Sequence, residues 1–328
     1  MTVSTAKKTI IKRILISLII LTALFCLTGC PNSIFGGATG ATVTWAGLRV
    51  SSYGFRQDGS GSKNKFPTVD EFDNYASKIA SYYEGSTGTF VWIVGEVHTD
   101  KETLKNYCGL KFPLPEETNI SYAEGSPEDQ NEDFLTMADK KGYAVWLQVE
   151  SGDADLVELA KLVMTKYKDH PCVKGFGIDV EWHKPKATKY TNDEGKEKIK
   201  YDEGTKLSDA TAKAVVEAVK SINPNYTVFA KHWETEWMPP SYRSDMIFVN
   251  DSQGFGSLSE MENEFSNWAS TFSDNPVFFQ IGYNDDEWIW SELSNPVAEL
   301  GAALADVSPA SSKIGIIWVD FTLRRALK

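Results

Sequence analysis

The sequence predicts an α/β protein, a (β/α)8 TIM barrel that forms a single domain. Eight short apolar runs, rich in Val, Ile, Phe and Trp, alternate with amphipathic helical patterns. This alternation is typical of a parallel sheet covered by helices. About 300 residues follow the N-terminal leader, a length that suits such a barrel. A doubly wound open sheet is the alternative, but no G-x-G-x-x-G motif follows the first apolar run.

The N-terminal leader has the pattern of an export signal. Four basic residues precede the apolar run "ILISLIILTALFCL", and a small-residue boundary follows it. "LTGC" resembles the lipobox of bacterial lipoproteins, which implies cleavage before Cys30 and a lipid on that residue. We therefore expect a signal peptide over 1–29, a lipidated tether over 30–41 and the barrel domain over 42–328. A plain secretory signal cleaved elsewhere is the alternative. The protein is expected to be exported and held at the membrane through its lipid alone.

The eight predicted strands can be placed in order along the chain. They are "TVTWAGLRV" near residue 43, "TFVWIVGEV" near 90, "YAVWLQVE" near 144, "VKGFGIDVE" near 174, "YTVFAKH" near 227, "DMIFVND" near 245, "PVFFQIGY" near 277 and "KIGIIWVDF" near 314. Helices are predicted at "TVDEFDNYASKIASYY", "DADLVELAKLVMTKY", "SDATAKAVVEAVKSI" and "LSEMENEFSNWASTF", each opening with a residue that can cap it. Between the fifth and sixth strands, Pro239-Pro240 leaves room for only a short helix.

Composition narrows the class of partner. Removing residues 1–29 takes away four basic and no acidic residues, so the formal net charge moves from -12 to -16. A chain this acidic is a poor match for phosphates, and no nucleic-acid partner is expected. Beyond the leader no segment is apolar enough to span a bilayer. Cys108 and Cys172 are predicted to be free and buried, with a disulfide between them as the alternative. We expect a monomer.

Polar residues stand at the end of nearly every predicted strand. In barrels of this class, active sites gather at the carboxyl ends of the strands. The residues at these ends are Arg49, Glu96, His98, Gln148, Glu150, Asp179, Glu181, His183, Lys231, His232, Asn250, Asp251, Gln280, Tyr283 and Asp320. Because carboxylates dominate the set, we expect an acidic site at this face.

Tryptophan is abundant beside these acids, with ten in the chain. An indole stacks on the apolar face of a sugar ring, while carboxylates bind its hydroxyl groups, so the combination indicates a carbohydrate partner. Tryptophans inside the apolar runs, Trp92, Trp146 and Trp318, are predicted to belong to the core. Those just past strand ends, Trp182, Trp233 and Trp237, are predicted to face the cleft.

"VKGFGIDVEWH" contains the most informative pair of acids. Alternate residues of a strand share a face, so Asp179 and Glu181 are expected to point into the barrel together. Repulsion between two such carboxylates raises at least one pKa, and the outer one can then remain protonated near neutrality. Glu181 is therefore predicted to be a general acid and Asp179 to support it. The alternative is a structural ion network in which Lys231 or Arg49 holds the pair.

At this motif the chain resembles the family 18 glycoside hydrolases. "GIDVEW" is similar to the end of their fourth-strand pattern D-x-x-D-x-D-x-E, in which the Glu is the general acid and the preceding Asp positions the acetamido group of the substrate. Only the last two acids match, at Asp179 and Glu181, whereas Lys174 and Gly177 occupy the earlier positions.

A wider similarity is to secreted proteins described as glycoside-hydrolase-like. Segments such as "WAGLRVSSYGF", "GFGIDVEW" and "KHWETEWMPPSYR" carry it. It implies a barrel that acts on polysaccharide.

A second carboxylate is needed to complete a two-carboxylate glycosidase mechanism. Asp251 and Glu150 are the favoured candidates for base or nucleophile, and Asp320 is a third. The predicted substrate-binding residues are Arg49, Trp182, His232, Trp233, Tyr283 and Asp320.

Two other functions fit the same residues. His98, His183 and His232 could hold a divalent metal in a carbohydrate deacetylase, but their spacing matches no ligand motif, so no metal or other cofactor is expected. A non-catalytic carbohydrate-binding lipoprotein is the other alternative. The polar segment over 184–206 is expected to be a solvated, mobile loop, or else a lid over the cleft.

Overall fold

The computed structural model describes residues 40–57, 66–202 and 204–327. Its strands are β1 (Thr42–Val50), β2 (Thr87–Thr99), β3 (Asn106–Leu110), β4 (Ala123–Gly125), β5 (Ala144–Val149), β6 (Val173–Asp179), β7 (Lys186–Thr191), β8 (Glu197–Asp202), β9 (Thr227–Lys231), β10 (Ile247–Asn250), β11 (Val277–Ile281) and β12 (Lys313–Val319). Its helices are α1 (Val69–Ala80), α2 (Glu132–Lys141), α3 (Leu156–Lys166), α4 (Asp209–Ile222), α5 (Leu258–Thr271), α6 (Glu287–Trp290), α7 (Pro296–Val307) and α8 (Asp320–Ala326).

Eight parallel strands close into a barrel. Their order is β1-β12-β11-β10-β9-β6-β5-β2, and β1 also pairs with β2, so the sheet has no free edge within this ring. The predicted TIM barrel is confirmed, and the open doubly wound sheet is excluded by this closure. All eight predicted strands are the eight that form the ring.

The connections follow the βα pattern with one exception. After β9 the chain forms only the short 3₁₀ helix Thr235–Trp237 before β10, as the paired prolines predict. Five of the described helices, α1, α3, α4, α5 and α7, begin at a residue whose side chain caps the helix. The Thr68 side chain accepts a hydrogen bond from the Glu71 amide at the start of α1, and Ser208 does the same for Thr211 at the start of α4. These caps satisfy amide groups that would otherwise lack partners.

An apolar cluster fills the lower part of the barrel interior, by which we mean the part below the carboxyl ends of the strands. Its buried members come from six strands: Val91, Ala144, Trp146, Phe229, Ile247, Val249, Phe278 and Ile317, with Trp45 packed against them. Gly177 makes room for this filling, because a Cβ at that position would lie 2.2 Å from the Phe229 ring. Trp92, Trp146 and Trp318 are all buried, which confirms their predicted place in the core.

Two groups of additional strands extend beyond the carboxyl ends of the barrel strands, and we call them the excursions. β2 continues past the barrel and pairs with the antiparallel β3, to which β4 adds in parallel. β7 and β8 form a separate antiparallel hairpin. Within the segment over 184–206, which the sequence predicts to be a solvated loop, these two strands therefore add regular cross-strand pairing that the polar composition did not indicate. Most of the hairpin's side chains are exposed, which agrees with its polar sequence.

The signal peptide and the lipidation of Cys30 lie outside the described residues. None of the described helices combines the length and apolarity needed to cross a bilayer. Cys108 and Cys172 are both buried and free, as predicted.

Candidate active site

A cavity of about 450 Å³ opens at the carboxyl ends of the barrel strands. Its walls combine four acids, two cations, four aromatic residues and two smaller polar residues. They are Arg49, Tyr53, Glu150, Asp179, Glu181, Trp182, Lys231, Trp233, Asp251, Ser252, Gln253 and Tyr283. The cavity has the size of pockets that enclose small-molecule ligands, which span roughly 300–1,000 Å³. All four predicted catalytic acids therefore share one space.

The polar floor of this cavity follows directly from strand alternation. Phe229 fills the barrel, so Lys231, two residues further along β9, points into the same interior. The same step of two leads from Val249 to Asp251 beside β10, and from Trp146 through Gln148 to Glu150 beside β5. The barrel core thus continues upward into a layer of buried polar groups.

Lys231 joins two of the acids. Asp179 and Lys231 are register partners on β6 and β9, and their side chains form an ion pair of 3.1 Å. Lys231 also contacts Asp251 closely. The neighbouring carboxylates raise the pKa of Lys231 well above its ordinary value despite burial, so it stays charged. Gln148 Nε2 donates to Asp179 Oδ2 over 3.1 Å. The ion network that the sequence suggested as an alternative therefore exists at Asp179.

Glu181 is placed differently from Asp179. β6 ends at Asp179, and the chain then turns, with the Trp182 amide donating to the Asp179 carbonyl. Among the described residues, the Glu181 carboxyl has no hydrogen-bond or ion-pair partner. Partial burial and the negative charge of Asp179 raise its pKa to about 8. At neutral pH this carboxyl holds a proton that no described side chain binds.

The turn after β6 also explains the position of Trp182. In a continuous strand, Trp182 would point away from Asp179 and Glu181. Because the strand has already ended, Trp182 lies on the cavity wall together with both acids. Three side chains of "DVEW", those of Asp179, Glu181 and Trp182, thus reach one space through a local change of backbone conformation.

Glu150 follows β5 and is buried. One oxygen accepts from the Val97 amide over 3.0 Å, and the other lies 3.4 Å from the Tyr53 hydroxyl. Burial, reinforced by the charge of Asp179, raises the pKa of Glu150 to about 7. Burial likewise raises the pKa of Asp179 to about 6, although Lys231 opposes this shift.

Arg49 forms the opposite wall. Its guanidinium donates to Asp320 Oδ1 and Ser51 Oγ, each over 3.1 Å, and to the Tyr53 hydroxyl over 3.2 Å. Asp320 is buried beneath Arg49 and also accepts from the Ser51 amide. Asp320 was predicted to bind substrate, but it does not reach the cavity wall because it is occupied in fixing Arg49.

His232 and Trp237 also lie off the cavity wall. His232 is fully buried, and its ring stacks between Trp233 at 4.0 Å and Trp237 at 4.4 Å. His232, which was predicted to bind substrate, and Trp237, which was predicted to face the cleft, therefore do not line this cavity. The reason is the 3₁₀ turn after β9, which folds Trp237 back under the histidine. Trp233, at the end of this stack, does line the cavity.

Tyr53, Ser252 and Gln253 belong to the cavity wall but did not emerge from the sequence. Tyr53 lies four residues beyond Arg49, outside the predicted strand, so the alternation of the strand carried no signal for it. Tyr283 was expected here. Its hydroxyl accepts from Gln280 Nε2, which leaves the phenol proton available to the cavity.

Buried polar atoms without a hydrogen-bond partner concentrate at this face. In the described part of the chain, six of the nine such atoms belong to residues of the cavity wall or residues touching them: Arg49 Nε, Gln148 Oε1, Asp179 Oδ1, His232 Nε2, Asp251 Oδ1 and Gln280 Oε1. A buried polar group without a hydrogen bond destabilises the fold. Because these atoms concentrate here, the cavity can supply hydrogen-bonding groups to a polar ligand.

The three histidines of the metal-dependent alternative are not brought together. His98 pairs with Glu124, His183 contacts Ser151, and His232 lies in its aromatic stack. Within the described ranges, one group of three possible ligands lies within 4.8 Å, formed by Asp139, His170 and Cys172. These residues stand before the start of β6, at the opposite end of the barrel from the cavity, and hydrogen-bond one another.

No family model and no curated protein matches the chain. Among solved structures, it is similar to a β-glucuronidase from an uncultured Clostridium species, with a TM-score of 0.37, 14% identity, and 59% of this chain and 36% of that chain covered. It is also similar to a putative α-L-fucosidase from Bacteroides thetaiotaomicron, with a TM-score of 0.46, 11% identity, and 88% and 91% covered. A third is a chitinase-like lectin from tamarind, with a TM-score of 0.41, 12% identity, and 87% and 96% covered. The chain thus spans about a third of the first of these proteins.

Proposed function

We propose that the protein is a glycoside hydrolase that acts on a polysaccharide or oligosaccharide, with Glu181 as the general acid. The observation that carries this proposal is the state of Glu181, which faces the cavity, has a pKa raised to about 8 and has no side-chain partner among the described residues. A general acid must hold its proton until the leaving oxygen takes it, and a pKa near the working pH is suited to this task.

The other acids supply the negative charge that an oxocarbenium-like transition state requires. Asp251 is our candidate for base or nucleophile, because Lys231 binds one of its oxygens while Oδ1 has no partner in the described protein. Both oxygens of Glu150 are already engaged, by the Val97 amide and the Tyr53 hydroxyl, which makes it the second choice. Asp179 lies beside Lys231 and raises the pKa of Glu181, which is the supporting role expected from the sequence.

The aromatic residues of the cavity wall are the reason for proposing a carbohydrate as the substrate. Trp182 and Trp233 offer flat apolar surfaces to sugar rings, and Tyr53 and Tyr283 add hydroxyl groups at the same cavity. Sugars combine apolar C–H faces with a ring of hydroxyls, and this cavity presents both kinds of partner.

The first experiment is to incubate the soluble domain with plant, fungal and bacterial polysaccharides and a panel of aryl glycosides, and to analyse the products. With any glycan that is cleaved, Glu181→Gln should lower kcat by about 10²–10⁴-fold, the range that general acid catalysis supplies. A 2,4-dinitrophenyl glycoside needs little protonation of its leaving group, so the variant should lose much less activity on it. Glu217→Gln makes the same chemical change on the exposed face of α4, outside the cavity, and serves as the matched control.

Three outcomes would count against the proposal. Equal losses on natural and dinitrophenyl substrates would remove Glu181 from the role of acid. Undiminished turnover by Glu181→Gln would do the same. Binding of glycans without any cleavage by the wild-type protein would favour the carbohydrate-binding alternative.

A further inference from the structure

A second cavity adjoins the candidate active site. It also measures about 450 Å³ and is more open to solvent. Its walls come from the turn after β9 and from one side of α5: Trp233, Glu234, Thr235, Glu236, Glu264, Asn267, Trp268 and Thr271. Trp233 lines both cavities, so the two spaces are neighbours at this residue.

Trp233 is held in place from behind. Its ring stacks on His232 at a centroid distance of 4.0 Å and an angle of 20°. His232 is buried and stacks in turn on Trp237. Its Nδ1 accepts a hydrogen bond from the Glu234 amide over 2.9 Å. Stacking on two buried rings leaves the partly buried indole little freedom to rotate, so Trp233 presents a fixed aromatic surface between the two cavities.

The charges of the second cavity restrict what it can bind. Three glutamates line it, at positions 234, 236 and 264, and no lysine or arginine is among its lining residues in the described part of the chain. Lys206, just outside this lining, forms an ion pair of 2.9 Å with Glu236, so the other two glutamates give the cavity its negative charge. In the first cavity, Arg49 and Lys231 are already paired with Asp320, Asp179 and Asp251. A polyanionic chain would meet repulsion along both cavities, whereas hydroxyl groups of an uncharged chain can donate to the carboxylates.

We propose that the two cavities are consecutive parts of one cleft, and that the substrate is a non-acidic glycan chain that crosses Trp233 and is cleaved within its length. This inference rests on the proposed glycosidase function and extends it to the class of substrate. Each cavity is in the size range that encloses a whole small ligand, so together they hold several sugar units. A chain that continues through the second cavity places its scissile bond beside Glu181 with sugars on both sides.

The test compares short and long substrates. We would measure kcat/KM for β-1,4-linked glucose, mannose and N-acetylglucosamine oligosaccharides of two to six units. In the series that is cleaved, kcat/KM should rise at least about tenfold from the disaccharide to the hexasaccharide. Asn267→Trp, which fills the second cavity from α5, should bring the ratio of these two values close to one. Asn263→Trp places the same side chain one helical turn away, outside the cavity lining, and should preserve the ratio.

Because each ratio is measured within one variant, a partial loss of folded protein does not alter it. A flat dependence on chain length in the wild-type protein, or a ratio unchanged by Asn267→Trp, would overturn the inference while leaving the glycosidase proposal intact. If no oligosaccharide of the three series and no polysaccharide of the panel were cleaved, both the inference and the glycosidase proposal would be overturned. Polygalacturonate provides the charge test: it should not inhibit cleavage at low salt, and inhibition comparable to that by an uncharged polymer would exclude the non-acidic substrate class.

Discussion

Two layers of the barrel interior are buried to a similar degree but have opposite chemistry. In the lower layer, aromatic and aliphatic side chains such as Trp146, Phe229 and Phe278 pack against one another. In the upper layer, Asp179 and Lys231 are 3% exposed, as dry as the core below them, yet they carry charge. The same strands supply both layers, one step of two residues apart. Burial stabilises the lower layer, whereas in the upper layer it raises carboxyl pKa values and leaves polar atoms without partners.

Burying charged groups in the upper layer costs free energy of folding, and the packing of the lower layer offsets that cost. Buried charges are tolerated when they are paired, but a pair of this kind contributes little net stability. The upper layer is therefore best explained by what it does to Glu181 and to a ligand. If it were only structural, apolar residues of similar volume would serve the fold at least as well.

The greatest loss of stability should come from removing the cation of the Asp179–Lys231–Asp251 group. Lys231→Met leaves two buried carboxylates side by side, and we expect the free energy of unfolding at pH 7 to fall by about 3–5 kcal/mol. The loss should shrink as pH falls to about 4, because protonation removes the uncompensated charge. Denaturant unfolding at both pH values measures it.

A variant of the lower layer provides the contrast. Phe278→Ala should cost a similar amount, about 3–5 kcal/mol, but through loss of packing, and its cost should not depend on pH. Lys174→Met replaces an exposed lysine near the start of β6 and should be close to neutral. If the cost of Lys231→Met were as independent of pH as that of Phe278→Ala, the charges of Asp179 and Asp251 would not be its cause.

The next effect concerns the pH dependence of activity. Glu181 acts as an acid only while protonated, so kcat/KM should fall about tenfold per pH unit above its pKa of about 8. The same raised pKa means that the folded state holds this proton more tightly than the unfolded chain does. Its contribution to stability is thus complete at low pH, below the ordinary pKa of a glutamate, and is lost as pH rises through about 8.

Two variants separate the groups behind the pH profile. A descending limb that persists in Glu181→Gln would assign it to another residue. An ascending limb near pH 7 that disappears in Glu150→Gln, but not in Asp251→Asn, would make Glu150 the base in place of Asp251, since the pKa of Glu150 is raised to about 7.

A smaller effect is expected at the hairpin of β7 and β8, where the upper layer meets the excursions. Tyr201 packs edge-on against Trp182 at 5.2 Å, and its hydroxyl lies 2.8 Å from Thr99 Oγ1. Tyr201→Ala should loosen Trp182 and raise KM by about fivefold, which corresponds to about 1 kcal/mol, with kcat little changed. Tyr201→Phe keeps the ring and should recover most of the affinity.

Tyr190 on the same hairpin provides the control, because it is exposed and does not line the cavity. Tyr190→Ala should leave both kinetic constants unchanged. A fall in kcat with constant KM in Tyr201→Ala would indicate that the hairpin acts on Glu181 rather than on the aromatic wall. That outcome has a structural route, since a Cβ at Gly204 would lie 2.5 Å from the Glu181 carbonyl oxygen, so the returning chain packs on the backbone of the acid.

Local sequence patterns were sufficient to predict the eight barrel strands and the short fifth connection. Both depend on neighbouring residues: the apolar runs and the paired prolines. Asp179 and Glu181 share the cavity as predicted, but β6 ends at Asp179, so a turn rather than strand alternation places Glu181 there. Side-chain contacts between distant parts of the chain were harder to predict from the sequence. Arg49 and Asp320 are separated by 271 positions and meet because closure places the first and last strands side by side.

The amino-acid order alone was thus enough to tell which residues are buried in strands and which acids stand at their carboxyl ends, because the period of two links each polar residue to the apolar one below it. The sequence offered Lys231 or Arg49 as a partner for the pair of acids at the end of β6, and only the closed barrel distinguishes between them. Asp179 meets the ammonium of Lys231, whereas Glu181 has no partner among the described residues. His232 and Asp320 lie off the cavity wall. The physical reason is that strand order and register set charge pairing, and both arise from the closed sheet as a whole rather than from any one segment.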